Sequence, residues 1–164
     1  LETKDDLGAL FCALLLACGR RPSTLHLSCD RWALVPGKED LPCILFLETL
    51  KKRGHLVGPT EIPLLCSGRT FLKALKRFQK LCRSLHCGDC NESTAQALYG
   101  RYHREWCAGK FRPKDFRAVY SAYVAQSATL KDGLSGPAAV SRALVHTAPQ
   151  TAVHYLHVNL SDKK

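Results

Sequence analysis

The chain has 164 residues and a formal net charge of +10, from 24 Lys and Arg side chains against 14 Asp and Glu. This length suits one domain with a sizeable core, and the positive excess favours a polyanionic partner. The apolar run Leu7 to Ala17 is too short to span a membrane and has no signal-peptide cleavage pattern, which argues against a membrane partner. An odd number of cysteines, nine, without a secretion signal indicates reduced thiols in an intracellular protein.

The first predicted element is a buried helix over Leu7 to Ala17, with Gly19 as its stop. Two arginines follow, Arg20 and Arg21, and the chain continues Pro22-Ser23-Thr24-Leu25-His26-Leu27. Such a pair is either solvated charge beside a helix end or part of a binding site.

A β-hairpin is predicted next. Its first strand is the apolar run Cys43 to Leu50, and its second includes Glu61 to Leu64. Lys51 and Lys52 follow the first strand and are expected at the turn, as solubilising charge or as functional groups.

A strongly amphipathic helix is predicted over Thr70 to Leu85. Its basic residues fall on the face opposite the apolar ones and are either solvated or in contact with a phosphate backbone. The DNA-binding candidates on this face are Lys73, Lys76, Arg77 and Lys80.

Four residues between Cys87 and Cys107 have spacing typical of a zinc finger. The candidate ligands are Cys87, Cys90, His103 and Cys107. The alternative is a chance pattern in a cysteine-rich chain. With four protein ligands and no open position, such a zinc ion would be structural.

Another helix is predicted to begin near Arg112, because Pro113 suits a first turn and Asp115 suits the positive N-terminus of a helix. Lys114 and Arg117 lie in this segment.

The last motif is a histidine nine residues before a tyrosine, His146 and Tyr155. With the preceding motifs, it resembles the nucleophile segment of tyrosine recombinases, the integrase and Xer-like family. In the same order, Arg21 matches the first arginine of the family, Lys51 its hairpin lysine and Arg117 its second arginine. Lys52 competes with Lys51, one residue out of register, and is also a candidate DNA-binding residue. Lys114 stands where most recombinases have His and where type IB topoisomerases, which share the catalytic fold, have Lys.

The resemblance implies covalent catalysis with Tyr155 as the nucleophile, which would form a 3′-phosphotyrosyl intermediate. Arg21 and Arg117 would bind the phosphate oxygens, Lys51 would protonate the leaving 5′-oxygen, and Lys114 and His146 would assist. The reaction would need no metal or nucleotide cofactor.

The resemblance also implies an α+β fold, mostly helical with a small antiparallel β-sheet, over residues 1–164 as a single DNA breaking and rejoining domain. We expect the separate N-terminal DNA-clamping domain of the family to be absent from this chain. The expected activity is site-specific DNA recombination or integration, as in mobile elements. Its partner would be double-stranded DNA, bound by a homo-oligomer, in the nucleus if the host is eukaryotic.

Three alternatives remain open at this point. One is DNA relaxation of the type IB topoisomerase kind, and another is a domesticated DNA-binding module without catalysis. The third and most distant is an interaction domain resembling death-effector domains, which would make Ile44 to Phe78 helical.

Overall fold

The computed structural model describes residues 7–26, 31–47, 50–52, 55–86, 110–133 and 135–144. In chain order these residues form α1 (Leu7–Cys18), α2 (Pro22–His26), β1 (Trp32–Ala33), β2 (Cys43–Phe46), β3 (Leu50–Lys52), β4 (His55–Val57), β5 (Thr60–Pro63), α3 (Gly68–His86), α4 (Pro113–Asp132) and α5 (Gly136–Ala143). The predicted α+β fold, with helices around small antiparallel sheets, is confirmed.

The helix α1 is buried along almost its whole length and packs against α3 and α4. Its sequence is apolar on every side, which is the pattern of a core helix. Phe11 stacks on Phe78 of α3, with ring centroids 5.5 Å apart. Among the helices in the described ranges, none is both long and apolar enough to cross a membrane.

The strand β2 lies at the centre of a three-stranded antiparallel sheet, between β1 and β5. Phe46 pairs with Trp32 of β1, and Cys43 pairs with Pro63 of β5. Because β2 pairs with β1 and β5 through backbone hydrogen bonds between strands, the helical interpretation of Ile44 to Phe78 as a death-effector-like domain is wrong.

The hairpin lysines lie at the end of a strand, as predicted. The strand β2 ends at Phe46, and a second pair of strands, β3 and β4, forms a separate two-stranded sheet. Lys51 pairs with Leu56 and Lys52 with His55, so the two lysines are the last residues of β3, next to the start of β4. The expected single long strand is instead divided into β2 and β3.

Two groups of buried side chains form the core. The sheet cluster is built from α1, α2, the three-stranded sheet and α3, and it includes Phe11, Phe46 and Phe78. The α4–α5 cluster is built from Tyr120, Val124, Ala139, Val140, Ala143 and Leu144. Hydrogen bonds cross between the clusters, from Arg20 to the Leu144 carbonyl and from Tyr120 to the Pro63 carbonyl. We call this boundary the seam.

Candidate functional site

The two arginines after α1 have different surroundings. Gly19 has φ +60° and its N–H donates to the Leu15 carbonyl, 2.9 Å away, so the chain leaves α1 through a left-handed residue. Arg20 is then only 7% exposed, whereas Arg21 is exposed and directly precedes Pro22, the first residue of α2. Arg21, the predicted catalytic arginine, is therefore the member of the pair that faces solvent.

Arg20 lies at the seam. Its Nη1 donates a hydrogen bond to the Leu144 carbonyl, with 3.3 Å between the two atoms. Its guanidinium carbon lies 5.1 Å from the centroid of the Phe46 ring, within the range of a cation–π interaction. One side chain thus contacts both the sheet and the end of α5.

Arg117 lies in the second turn of α4, whose start follows the sequence prediction. Pro113 is the first helical residue, and the Asp115 carboxylate accepts a hydrogen bond from the Arg112 N–H, 2.7 Å away. Arg117 is 8% exposed. The Ser121 hydroxyl donates to the Arg117 carbonyl, 2.6 Å away, inside the helix.

Tyr120 and Cys18 show that Arg20 and Arg117 lie in the same region. The Tyr120 hydroxyl is buried and donates to the Pro63 carbonyl, 2.6 Å away. Burial raises the pKa of Tyr120 far above its ordinary value, and it raises the pKa of the Cys18 thiol to about 12. The positive charges of Arg20 and Arg117 act against both pKa increases. A Cβ added at Gly19 would meet the Tyr120 ring, so the chain directly before Arg20 lies against α4, the helix that carries Arg117.

The lysine candidates lie on different elements. Lys114 is exposed in the first turn of α4, one turn before Arg117. The backbone of Lys51 and Lys52 lies in β3, and the choice between these two residues as the catalytic lysine stays open.

The basic face of α3 has the arrangement predicted from the sequence. Phe71, Leu75 and Phe78 are buried in the sheet cluster. The four candidate DNA-binding side chains are exposed on the opposite face: Lys73, Lys76, Arg77 and Lys80. A helix of this kind presents several positive charges to one surface.

Several predicted site residues lie outside the described residues. They are His146, Tyr155, Cys87, Cys90, His103 and Cys107. Within the described ranges, no group of three or more His, Cys, Asp or Glu side chains is arranged to hold a metal ion. The zinc hypothesis therefore remains a prediction.

A cleft of about 610 Å³ lies between β2, β5 and the helices α4 and α5. Tyr123 and Arg142 lie on its helical side, and the Lys38–Glu61 ion pair, 3.2 Å, lies on its sheet side. Both members of that pair are largely exposed, so it adds little to stability. Among the described residues, Arg21, Lys114 and Arg117 do not line this cleft.

The sequence matches no protein-family model and no curated protein. A solved structure does match: a variant of protelomerase TelA covalently complexed with substrate DNA, with a TM-score of 0.67 and 21% sequence identity. The match covers 95% of this chain and 54% of the TelA chain. This chain shares the fold of part of TelA. It spans about half of the TelA chain that it matches.

Sequence reasoning missed two buried residues of this region, Arg20 and Tyr120. The sequence indicates Arg20 only as the neighbour of Arg21. No local signal marks the burial of Arg20, because its partners Phe46 and Leu144 are distant from it in sequence. Tyr120 is three residues from Arg117, which places both on one face of α4.

Proposed function

We propose that this chain cleaves and rejoins DNA strands through a 3′-phosphotyrosyl bond to Tyr155, as a site-specific recombinase of the tyrosine class. The observation that carries the proposal is the meeting of two distant motifs. Gly19, the residue before Arg20, lies against the ring of Tyr120, which is one turn after Arg117 on α4, and Arg21 follows Arg20 with Cα atoms about 3.8 Å apart. The fold shared with TelA, which is covalently complexed with DNA, supports this function.

The proposed chemistry is a transesterification. The Tyr155 phenol gives up its proton to water with the help of His146, its oxygen forms a bond to phosphorus, and the bond from phosphorus to the 5′-oxygen breaks. Lys51 gives a proton to the leaving 5′-oxygen, while Arg21 and Arg117 bind the nonbridging oxygens, where negative charge grows. Lys114 and His146 supply further donors. Because the phosphotyrosyl bond conserves the energy of the phosphodiester, the reverse reaction reseals the strand without a nucleotide or a metal.

Tyr120 does not fit the role of nucleophile. Its hydroxyl is buried and held by the Pro63 carbonyl, and burial raises its pKa far above its ordinary value. A buried phenol that keeps its proton is a poor nucleophile and is out of reach of DNA. Tyr123 is 49% exposed, which makes it the better control for surface tyrosine reactivity.

The proposed partner is double-stranded DNA, bound along the basic face of α3. Lys73, Lys76, Arg77 and Lys80 are exposed there and would neutralise backbone phosphates. Recombination requires paired sites, so we propose that the full protein acts as a homo-oligomer on DNA inside the cell. A structural zinc at Cys87, Cys90, His103 and Cys107 stays part of the proposal, and zinc chelation followed by thermal unfolding would test it.

The decisive experiment is covalent trapping on DNA with a nick beside the cleavage site. Wild-type protein should give an adduct that survives denaturation. Tyr155→Phe should abolish the adduct and keep DNA binding, because the hydroxyl is needed for the bond but not for phosphate contacts. Tyr123→Phe is the matched control and should form the adduct at the wild-type rate. An adduct that persists in Tyr155→Phe would refute the assignment of the nucleophile.

A second candidate function, relaxation of supercoiled DNA by a type IB topoisomerase mechanism, is favoured by Lys114. Its side chain is exposed at the start of α4, where topoisomerases of this type have Lys. A monomer that relaxes any supercoiled plasmid would support this function, whereas a requirement for paired sites would support recombination. DNA binding without any adduct would instead support a non-catalytic DNA-binding module.

A further inference from the structure

We propose that Arg20 is a positioning residue: it fastens the end of α5 to the sheet and thereby fixes where the chain enters the segment that carries His146. The proposal rests on the function proposed above, in which His146 acts at the phosphate. It assigns Arg20 and Arg21 different tasks, although they are neighbours of the same residue type.

The contacts of Arg20 span the seam. Its Nη1 donates to the Leu144 carbonyl at 3.3 Å, and Leu144 directly follows the last residue of α5. Its guanidinium also lies 5.1 Å from the centroid of the Phe46 ring in β2. The side chain therefore connects an element of the sheet cluster with the α4–α5 cluster.

Burial makes this connection strong. Arg20 is 7% exposed and Leu144 is 3% exposed, so water competes little for the hydrogen bond. A hydrogen bond from a charged donor contributes more to stability than one between neutral groups. The planar guanidinium can lie against the Phe46 ring while an N–H in its plane points at the carbonyl, which a lysine ammonium cannot reproduce.

The hydrogen bond from Arg20 to Leu144 affects His146 through the backbone that joins Leu144 to His146. Leu144 is two residues before His146, and two residues span at most about 7 Å. Fixing the Leu144 carbonyl therefore limits where the His146 backbone can lie. A misplacement of about 1 Å in a catalytic group can cost about a hundredfold in rate.

The contacts of Arg20 separate it from direct phosphate contact, whereas burial alone does not, because Arg117 is buried to the same extent. A backbone phosphate arrives from solvent, and Arg21 is the exposed member of the pair. Arg20 is already committed to Leu144 and Phe46. We therefore expect replacement of Arg20 to lower the rate of DNA cleavage and to leave the affinity for DNA unchanged.

The test compares Arg20→Met and Arg20→Lys with Arg69→Met, which removes an arginine that is exposed at the start of α3. Adduct formation on nicked DNA should fall by about a hundredfold in Arg20→Met, with a smaller loss in Arg20→Lys and none in Arg69→Met. DNA affinity and its dependence on salt should be unchanged, since loss of one phosphate contact alters the logarithmic salt slope by about 0.9.

A second readout needs no DNA and no activity. In protein labelled with ¹⁵N-histidine, with the His146 ring signals assigned from His146→Gln, Arg20→Met should shift those signals and Arg69→Met should not. Arg20→Lys keeps a positive charge and serves if Arg20→Met does not fold. If wild-type protein forms no adduct, the proposed function fails while these signals still decide whether Arg20 positions His146.

Three results would overturn the proposal. A changed salt slope in Arg20→Met would mean that Arg20 contacts a phosphate directly. Unchanged His146 signals in both Arg20 variants, or wild-type cleavage per folded molecule, would mean that Arg20 only stabilises the fold.

Discussion

Replacement of Gly19 by alanine should destabilise the protein far more than an ordinary glycine-to-alanine change. Gly19 has φ +60°, which costs an L-residue about 1–2 kcal/mol. A Cβ at this position would also overlap the Tyr120 ring, lying 2.6 Å from its Cγ and Cε1. Overpacking of this kind adds about 1–3 kcal/mol, so we expect a total loss of about 2–5 kcal/mol in the free energy of unfolding.

Gly37→Ala is the matched control. Gly37 has φ +74°, yet an added Cβ there would have no atom within 4 Å. The Gly37→Ala variant should lose only the part of the free energy of unfolding that the left-handed backbone costs an L-residue, about 1–2 kcal/mol. Urea denaturation with an unchanged m-value would measure both variants.

The Tyr120 contact can be isolated further with Gly19→Ala in a Tyr120→Leu background. Without the aromatic ring, the cost of Gly19→Ala should fall to that of Gly37→Ala, which is a measurable coupling between the two sites. Equal losses for Gly19→Ala and Gly37→Ala in the wild-type background would refute the packing argument.

Three further predictions concern stability. Tyr120→Phe leaves the partly buried Pro63 carbonyl without its 2.6 Å donor, and we expect a loss of about 1–3 kcal/mol in the free energy of unfolding measured with urea; an unchanged midpoint would contradict this. Asp115→Ala removes the acceptor of the Arg112 N–H and should cost about 0.5–2 kcal/mol in thermal unfolding, whereas Asp115→Asn, which keeps an acceptor, should cost less. Because burial raises the pKa of Cys18 from 9.0 to about 12, the folded state holds this proton longer than the unfolded state, so stability should fall as pH rises from about 9 towards 12. The free energy of unfolding should fall less steeply with pH in Cys18→Ala than in the wild-type protein. Parallel pH profiles of the two proteins would show that Cys18 does not cause the fall.

The helices were predictable because their signals are local. The uniformly apolar run of α1, the 3.6-residue period of α3 and the Pro113–Asp115 start of α4 each depend on residues within one or two turns. The pairing of β2 with β5 also followed from sequence, since two apolar runs with turn residues between them favour a hairpin. These predictions were confirmed.

The details of the site were less predictable because they depend on distant contacts. The arginine that becomes buried depends on how Gly19 turns the chain and on Leu144, which is 124 residues away in sequence from Arg20. The burial of Tyr120 depends on Pro63, which lies 57 residues before it. No pattern within α4 distinguishes this tyrosine from Tyr123, which is exposed. The split between β2 and β3 was missed because the apolar run does not stop where the strand does.

The seam has a consequence for how the protein could be divided. The sheet cluster draws on residues 7–82, apart from the partly buried Phe116, and the α4–α5 cluster on residues 120–144, with Leu65 packed against it. The polar contacts between them, from Arg20 to Leu144 and from Tyr120 to Pro63, are directional. Two peptides separated between α3 and α4 would therefore carry complementary surfaces that specify a single docking geometry. Fragment complementation at this boundary would place Arg20 and Arg21 on one peptide and Arg117 on the other. Variants of each peptide could then be mixed in any combination.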